Sequence, residues 1–353
     1  MNLYILSSDY FHPLSRTKFA WFFERYRRYL KIIENWNDFK DVKDDAICIM
    51  FCRGILPPLF DGKAFRFILV FANHFLEINR ERKELFQKME RRLILIYEND
   101  AQLDHLFYTW GVKLNKQQCL LFPQNNCNQT KRTSLNRCAE IQKSLLKSLV
   151  TIDNSHFVTC GSITLFRQNA FWWQDYLGVN NLLPDRYTLH ELGPALGITV
   201  HSVIIDDNRS WSLFNRIVRV LLISFGSQKR AASRYYKKSL NDIFQSSIFF
   251  FSPLDVSGVI PQIVFEAMRS GLVLIAKEAP AFQKLGFKPN IHYISVGNQF
   301  SYTSCLQAIS FAKSLNVNDI LELRERSLNL LNKLDQDSER RFIELDTRLR
   351  SPS

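Results

Sequence analysis

The chain has no apolar run approaching the roughly 18 residues a membrane-spanning helix requires. Its most apolar stretches, "RVLLISF" and "SSIFFFSPL", have the length of single strands. The first residues, "MNLYILSSDYF", lack the basic flank and apolar length of a secretory signal and read as a buried strand, so a cytoplasmic protein is expected. No C-x-x-C pair occurs. The cysteines (Cys48, Cys52, Cys119, Cys127, Cys138, Cys160 and Cys305) are odd in number and scattered, with no histidine at ligand spacing. That argues for reduced thiols over a disulfide framework or a zinc site. Low-complexity segments and fixed-period repeats are also missing, which excludes solenoids and arrays.

What is present supports packed cores. At 353 residues the chain exceeds what one core usually organises, so two domains of about 150 to 200 residues are expected. An apolar fraction of 46% and an aromatic fraction of 13% argue against disorder. The net charge is +12, of which residues 1–150 hold +8, with 24 Lys+Arg against 16 Asp+Glu. An anionic partner would therefore meet the first half; equally, a basic balance serves solubility alone.

Short apolar runs alternate with longer amphipathic stretches, the pattern of an α/β protein with mainly parallel sheets. Strands are expected at "NLYILSS", "AICIMFC", "FRFILVFA", "RLILIYE" and "CLLFPQ". After the lysine-rich "NQTKRTSLNRCAEIQKSLLKS" they resume at "HFVTCGS", "ITVHSVIID", "VLLISFG", "IFFFSP", "LVLIAKE" and "HYISVG". The expected division is one domain over 1–150, a second over 151–315, and a charged helical tail over 316–353 that either packs across a domain or ends in solvent.

The segment "GVIPQIVFEAMRSGLVLIAKE", residues 258–278, reads as a helix leading into a strand. Ile260, Ile263, Val264, Ala267 and Met268 fall at helical spacing and make one apolar face, with Glu266 off it. Pro261 suits the first turn and Gly271 a left-handed C-cap. The helix begins after the carboxyl end of a strand, where open α/β sheets place ligands and free N–H groups favour phosphate. Glu266 is then either a solvated residue on the outer face or a carboxylate accepting hydrogen bonds from two vicinal hydroxyls, as of a ribose.

The stretch "FFFSPLDVSGVIPQIVFEAMRSGLVLIAKEAPAFQKLGFKPNIHYISVG" resembles the donor-binding segment of GT-B-fold glycosyltransferases, of the group 1 or family 4 type and the related CgeB-like proteins. The resemblance covers about 50 residues well and residues 150 to 300 more loosely. It implies two Rossmann-like domains facing a cleft, acceptor in the first and nucleotide-sugar in the second. Glu266 would hold the ribose, with the backbone of Ser257, Gly258 and Val259 near the diphosphate or sugar. "LLISFGSQ" is similar to the nucleobase element, which would place Phe225, Gly226, Ser227 and Gln228 around the base. "HFVTCGSITLFRQ" is similar to the opening strand, with Arg167 a candidate for the diphosphate. Gly258 stands where many members have a further glutamate, and Trp172 where a lysine is frequent. Lys229 and Arg230 are the nearest basic substitutes by sequence, or simply a solvated loop.

Such a site needs no cofactor and no metal, because helix N–H groups and one or two basic side chains can meet the charge on a leaving diphosphate. No D-x-D motif suggests a metal-held nucleotide; Asp206 and Asp207 in "IIDDNRS" read as a strand-end turn. In the first half, "SSDYFHPLSR" follows the first strand, and Asp9 or His12 can act as the base on an acceptor hydroxyl. A helix is expected near residues 16–33. Phe19, Phe22, Phe23, Tyr26, Leu30 and Ile33 form its core face; Lys18, Trp21, Arg25, Arg28 and Ile32 form a basic-aromatic face. The second face suits anionic headgroups at the inner face of a membrane, a nucleic-acid backbone, or plain solvent. Three classes therefore stand: a glycosyltransferase using a nucleotide-sugar and a glycan or lipid-linked acceptor, a non-catalytic nucleotide- or glycan-binding relative, and a basic nucleic-acid-binding protein.

Overall fold

A computed structural model describes residues 2–11, 19–34, 46–51, 65–71, 80–98, 103, 107, 111–122, 129–149, 151–165, 184–206, 239–254 and 260–350. The fold is α/β, with two parallel, Rossmann-like sheets and a long C-terminal helix. The chain divides into two compact units, Met1–Gln129 with Leu334–Ser353, and Thr130–Lys333.

In the first unit the strands are β1 (Leu3–Leu6), β2 (Leu30–Ile33), β3 (Ile47–Phe51), β4 (Phe67–Phe71), β5 (Leu93–Tyr97) and β6 (Cys119–Leu121). They run parallel in the order β2-β1-β3-β4-β5-β6. Their near-continuous apolar sequences follow from burial on both faces. Ile47, Ile49, Leu69, Ile94 and Ile96 point to one face, with Phe22 and Tyr26. Cys48, Met50, Ile68, Val70 and Leu95 point to the other, with Phe65 and Phe86.

The second unit holds β7 (Phe157–Leu165), β8 (Thr199–Asp206), β9 (Phe249–Ser252), β10 (Val273–Ala276) and β11 (Ile294–Ser295), parallel in the order β11-β10-β9-β7-β8. Counted over the described strands of its own unit, each sheet runs 2-1-3-4-5, and the first adds a sixth strand. This doubly wound order reverses direction between first and third strands, at β1/β3 and at β7/β9. Ligand crevices in open α/β sheets form outside the carboxyl ends of strands at such a point.

All the expected strand segments fall on strands except "VLLISFG", which lies outside the described residues. The lysine-rich stretch is a helix, Gln129–Ser148, that packs with the second unit. Its Gln142 amide donates to the carbonyls of Phe244 and Ser247, its Ser134 Oγ lies 2.8 Å from Asn241 Nδ2, and Leu146 enters the core. The helical tail is Val317–Arg350. Ile320 and Leu323 near its start lie in the second unit's core, and Phe342, Leu345 and Leu349 near its end lie in the first unit's core. None of the described helices is long and apolar enough to cross a membrane.

The expected helix near 16–33 needs correction. Among the described residues of that span, the helix covers Ala20–Tyr26; a 3-10 turn follows over Arg27–Tyr29, and Leu30–Ile33 is the edge strand β2. β-Branched Ile32 and Ile33 favour the strand, and the ladder from Leu3↔Leu30 to Leu6↔Ile33 fixes it. The basic-aromatic face dissolves with it. Trp21 stacks on Phe122 at 5.4 Å and meets Phe342 edge-on at 5.1 Å, while Arg25 lies 4.2 Å over Phe342 and pairs with Glu339 at 2.7 Å. Lys18 lies outside the described residues.

Candidate functional site

The helix carrying Glu266 spans Gln262–Arg269, and its ends are fixed by the expected residues. Pro261 is the extended N-cap, one residue before the position expected for it. Gly271 has φ +87°, its N–H donates to Met268 O at 2.9 Å, and Leu272 N–H donates to Ala267 O at 3.0 Å. That double closure satisfies two carbonyls at the helix end and needs the left-handed residue glycine supplies. The one-sided apolar face does not hold, because every residue from Ile263 to Arg269 is buried. Glu266 is 5% exposed and is not a solvated outer-face residue.

A buried carboxylate requires a partner. Here it is Lys131, in the first turn of the helix Gln129–Ser148, whose Nζ donates a short hydrogen bond to Glu266 Oε1. Among the described residues, Oε2 has no hydrogen-bond partner. Burial pushes the Glu266 carboxyl above its ordinary pKa, opposed by the charge and hydrogen bond of Lys131. Cys160 on β7 is pushed up to about 12 by burial; Glu266 adds to that rise and Arg186 opposes it. Arg186 belongs to the helix Pro184–Leu196 and lies over Gly161, where an added Cβ would sit 2.9 Å from Arg186 Cδ. Gly161 has φ +146°, so a bare, left-handed position on β7 makes room for a guanidinium.

Beside Arg186, Asp185 ties the neighbouring strand exits together. It is buried, accepts the Leu254 N–H at 3.0 Å, and pairs with Lys277 Nζ at 2.8 Å. Leu254 lies just past β9 and Lys277 just past β10. Asp185 also sits in the first turn of its helix, where a carboxylate is favoured. At the end of β9, Ser252 Oγ is buried with no partner among the described residues. Lys131, Glu266, Asp185, Arg186 and Lys277 thus gather around the reversal point of the second sheet. Such an arrangement can hold a polar, phosphate-bearing ligand by hydrogen bonds in a partly dehydrated setting.

Of the residues expected at the site, Glu266 is in this group. Ser257, Gly258, Val259, Arg167, Gly226, Ser227, Gln228 and Lys229 lie outside the described residues, as do Trp172, Phe225 and Arg230. In the first unit Asp9 sits in the short helix Ser7–Tyr10 directly after β1, beside the β1/β3 reversal, and is 2% exposed. His12 lies outside the described residues. Sequence reasoning missed Lys131, Asp185, Arg186 and Lys277. The pair Pro184 and Asp185, proline followed by an acidic first turn, is a helix-start signal that pointed to Asp185. No local signal links Lys131 to a partner 135 positions away.

No protein-family model and no curated protein matches the chain. Solved structures do. A glycosyltransferase from Rickettsia africae ESF-5 is 12% identical with a TM-score of 0.51, covering 98% of this chain and 90% of that one. Anabaena HepE in complex with UDP-glucose is 9% identical with a TM-score of 0.48, covering 98% and 100%. The trehalose-6-phosphate synthase OtsA is 14% identical with a TM-score of 0.45, covering 95% and 82%.

Proposed function

We propose that the protein is a GT-B-type glycosyltransferase that moves a sugar from a nucleoside-diphosphate sugar to a glycan or lipid-linked acceptor, in surface polysaccharide or glycoconjugate synthesis. One observation carries this reading: a buried, lysine-paired carboxylate, Glu266, on the helix that follows β9 at the sheet's reversal point. A glutamate with no ligand to serve is costly to bury, since the same volume filled by an apolar side chain avoids the desolvation. The fold-level likeness to the Rickettsia glycosyltransferase agrees with it.

In this reading Glu266 accepts hydrogen bonds from the two ribose hydroxyls. The backbone of Ser257, Gly258 and Val259 with Arg167 meets the diphosphate, and Gly226, Ser227, Gln228 and Lys229 border the nucleobase and phosphates. As the bond from sugar to diphosphate breaks, negative charge grows on the leaving group and is stabilised by N–H groups and cationic side chains already in place, without a metal. Asp9 or His12 in the first unit takes the proton of the attacking hydroxyl. Incubation with a panel of nucleotide-sugars, read by released nucleoside diphosphate, tests the proposal. Slow donor hydrolysis is expected; binding without turnover would instead mark a non-catalytic relative, and no binding of any nucleotide would refute the reading.

A further inference from the structure

The helix Gln129–Ser148 is fastened to the second unit by contacts other than the one to Glu266. Gln142 closes the end of the helix Leu240–Gln245, Ser134 meets Asn241, and Arg324 Nη2 donates to Ala139 O at 3.2 Å. The Lys131–Glu266 contact is therefore not needed to dock it. The pair is also lopsided. The Lys131 side chain is 38% exposed and that of Glu266 only 6%, so the lysine joins the surface to a buried carboxylate. Lys131 holds one carboxylate oxygen, and the other has no hydrogen-bond partner among the described residues.

We propose that Lys131 is a positioning residue of the donor site, holding Glu266 ionised and oriented so that the open oxygen receives a ribose hydroxyl. This rests on the donor-site reading above. Without the ammonium, burial alone acts on Glu266 and the carboxyl takes up a proton at higher pH. A protonated carboxyl loses the charge that strengthens its hydrogen bonds to hydroxyls. Among the described residues, the other titratable or charged groups coupled to this place are Cys160 on β7 and, beyond it, Arg186. The Cys160 thiol, pushed up to about 12 by burial, does not titrate across the neutral range.

The test is the affinity of UDP, ADP and GDP, measured by calorimetry from about pH 6 to about pH 9 on wild type, K131M, K131R and E266Q. Taking the ratio of variant to wild type at each pH cancels the titration of the ligand's own phosphate. K131M should bind more weakly towards the acid end, by about tenfold for each unit by which the raised Glu266 midpoint lies above the assay pH, and recover at the alkaline end. K131R should behave as wild type, and E266Q should be weak at every pH. Should K131M fold poorly, K131Q, one atom shorter, polar and uncharged, carries the same expectation. A K131M deficit constant across pH, or none at all, would overturn the role of Lys131 while an E266Q loss left the donor site standing. A wild type that binds none of the three nucleotides would remove both.

Discussion

Replacing Gly271 with alanine should destabilise the second unit through two separable costs. The first is conformational: at φ +87° a Cβ strains the backbone by about 1 kcal/mol or slightly more. The second is steric, because the new Cβ would lie 2.0 Å from Arg324 Nη2 and 2.8 Å from its Cζ. Arg324 is 6% exposed and has little room to retreat; its pKa is pushed down to about 10 by burial, against the charge of Glu140. Moving it forfeits the charged hydrogen bond to Ala139 O, about 1.5 to 3 kcal/mol. G271A should therefore cost about 2.5 to 4 kcal/mol in wild type and only about 1 kcal/mol in an R324A background. Urea unfolding of the four proteins gives the coupling directly. Equal losses in both backgrounds would refute the steric half of the reasoning.

Two further outcomes follow from the same unit. Gln142→Leu leaves the Ser247 carbonyl unpaired in the interior and Phe244 O with main-chain donors alone, which should cost about 1 to 3 kcal/mol in chemical unfolding. Asp185→Ala strips the Leu254 N–H and Lys277 of their acceptor, so amide exchange at Leu254 should accelerate and unfolding should come about 1 to 3 kcal/mol earlier, with nucleotide affinity reduced through the loosened strand exits.

Much of the fold was legible because buried parallel strands are short, β-branched or aromatic runs that few other structures accommodate. "AICIMFC" and "IFFFSP" are such runs. β2 was not legible: "LKII" continues a helical pattern from Ala20, and only its ladder with β1, a non-local contact, converts it to strand. The helix around Glu266 was read correctly at its glycine end and wrongly in its faces. Periodicity records which residues are apolar, and a buried Glu266 and Arg269 are polar residues covered by distant parts of the chain. For the same reason Lys131 read only as part of a lysine-rich stretch between the two sets of strands. Its partner is fixed by how the helix Gln129–Ser148 lies against Gln262–Arg269, which no spacing within either segment encodes.

The central claim is that Glu266 binds a ribose. Its most direct measurement is the affinity of wild type and E266A for UDP, ADP and GDP and for their 2′-deoxy counterparts. Removing the carboxylate should weaken binding by about 1 to 3 kcal/mol and removing the 2′-hydroxyl by part of that, while in E266A the 2′-hydroxyl should make little further difference. Equal affinity of wild type and E266A for every nucleotide that binds would contradict it.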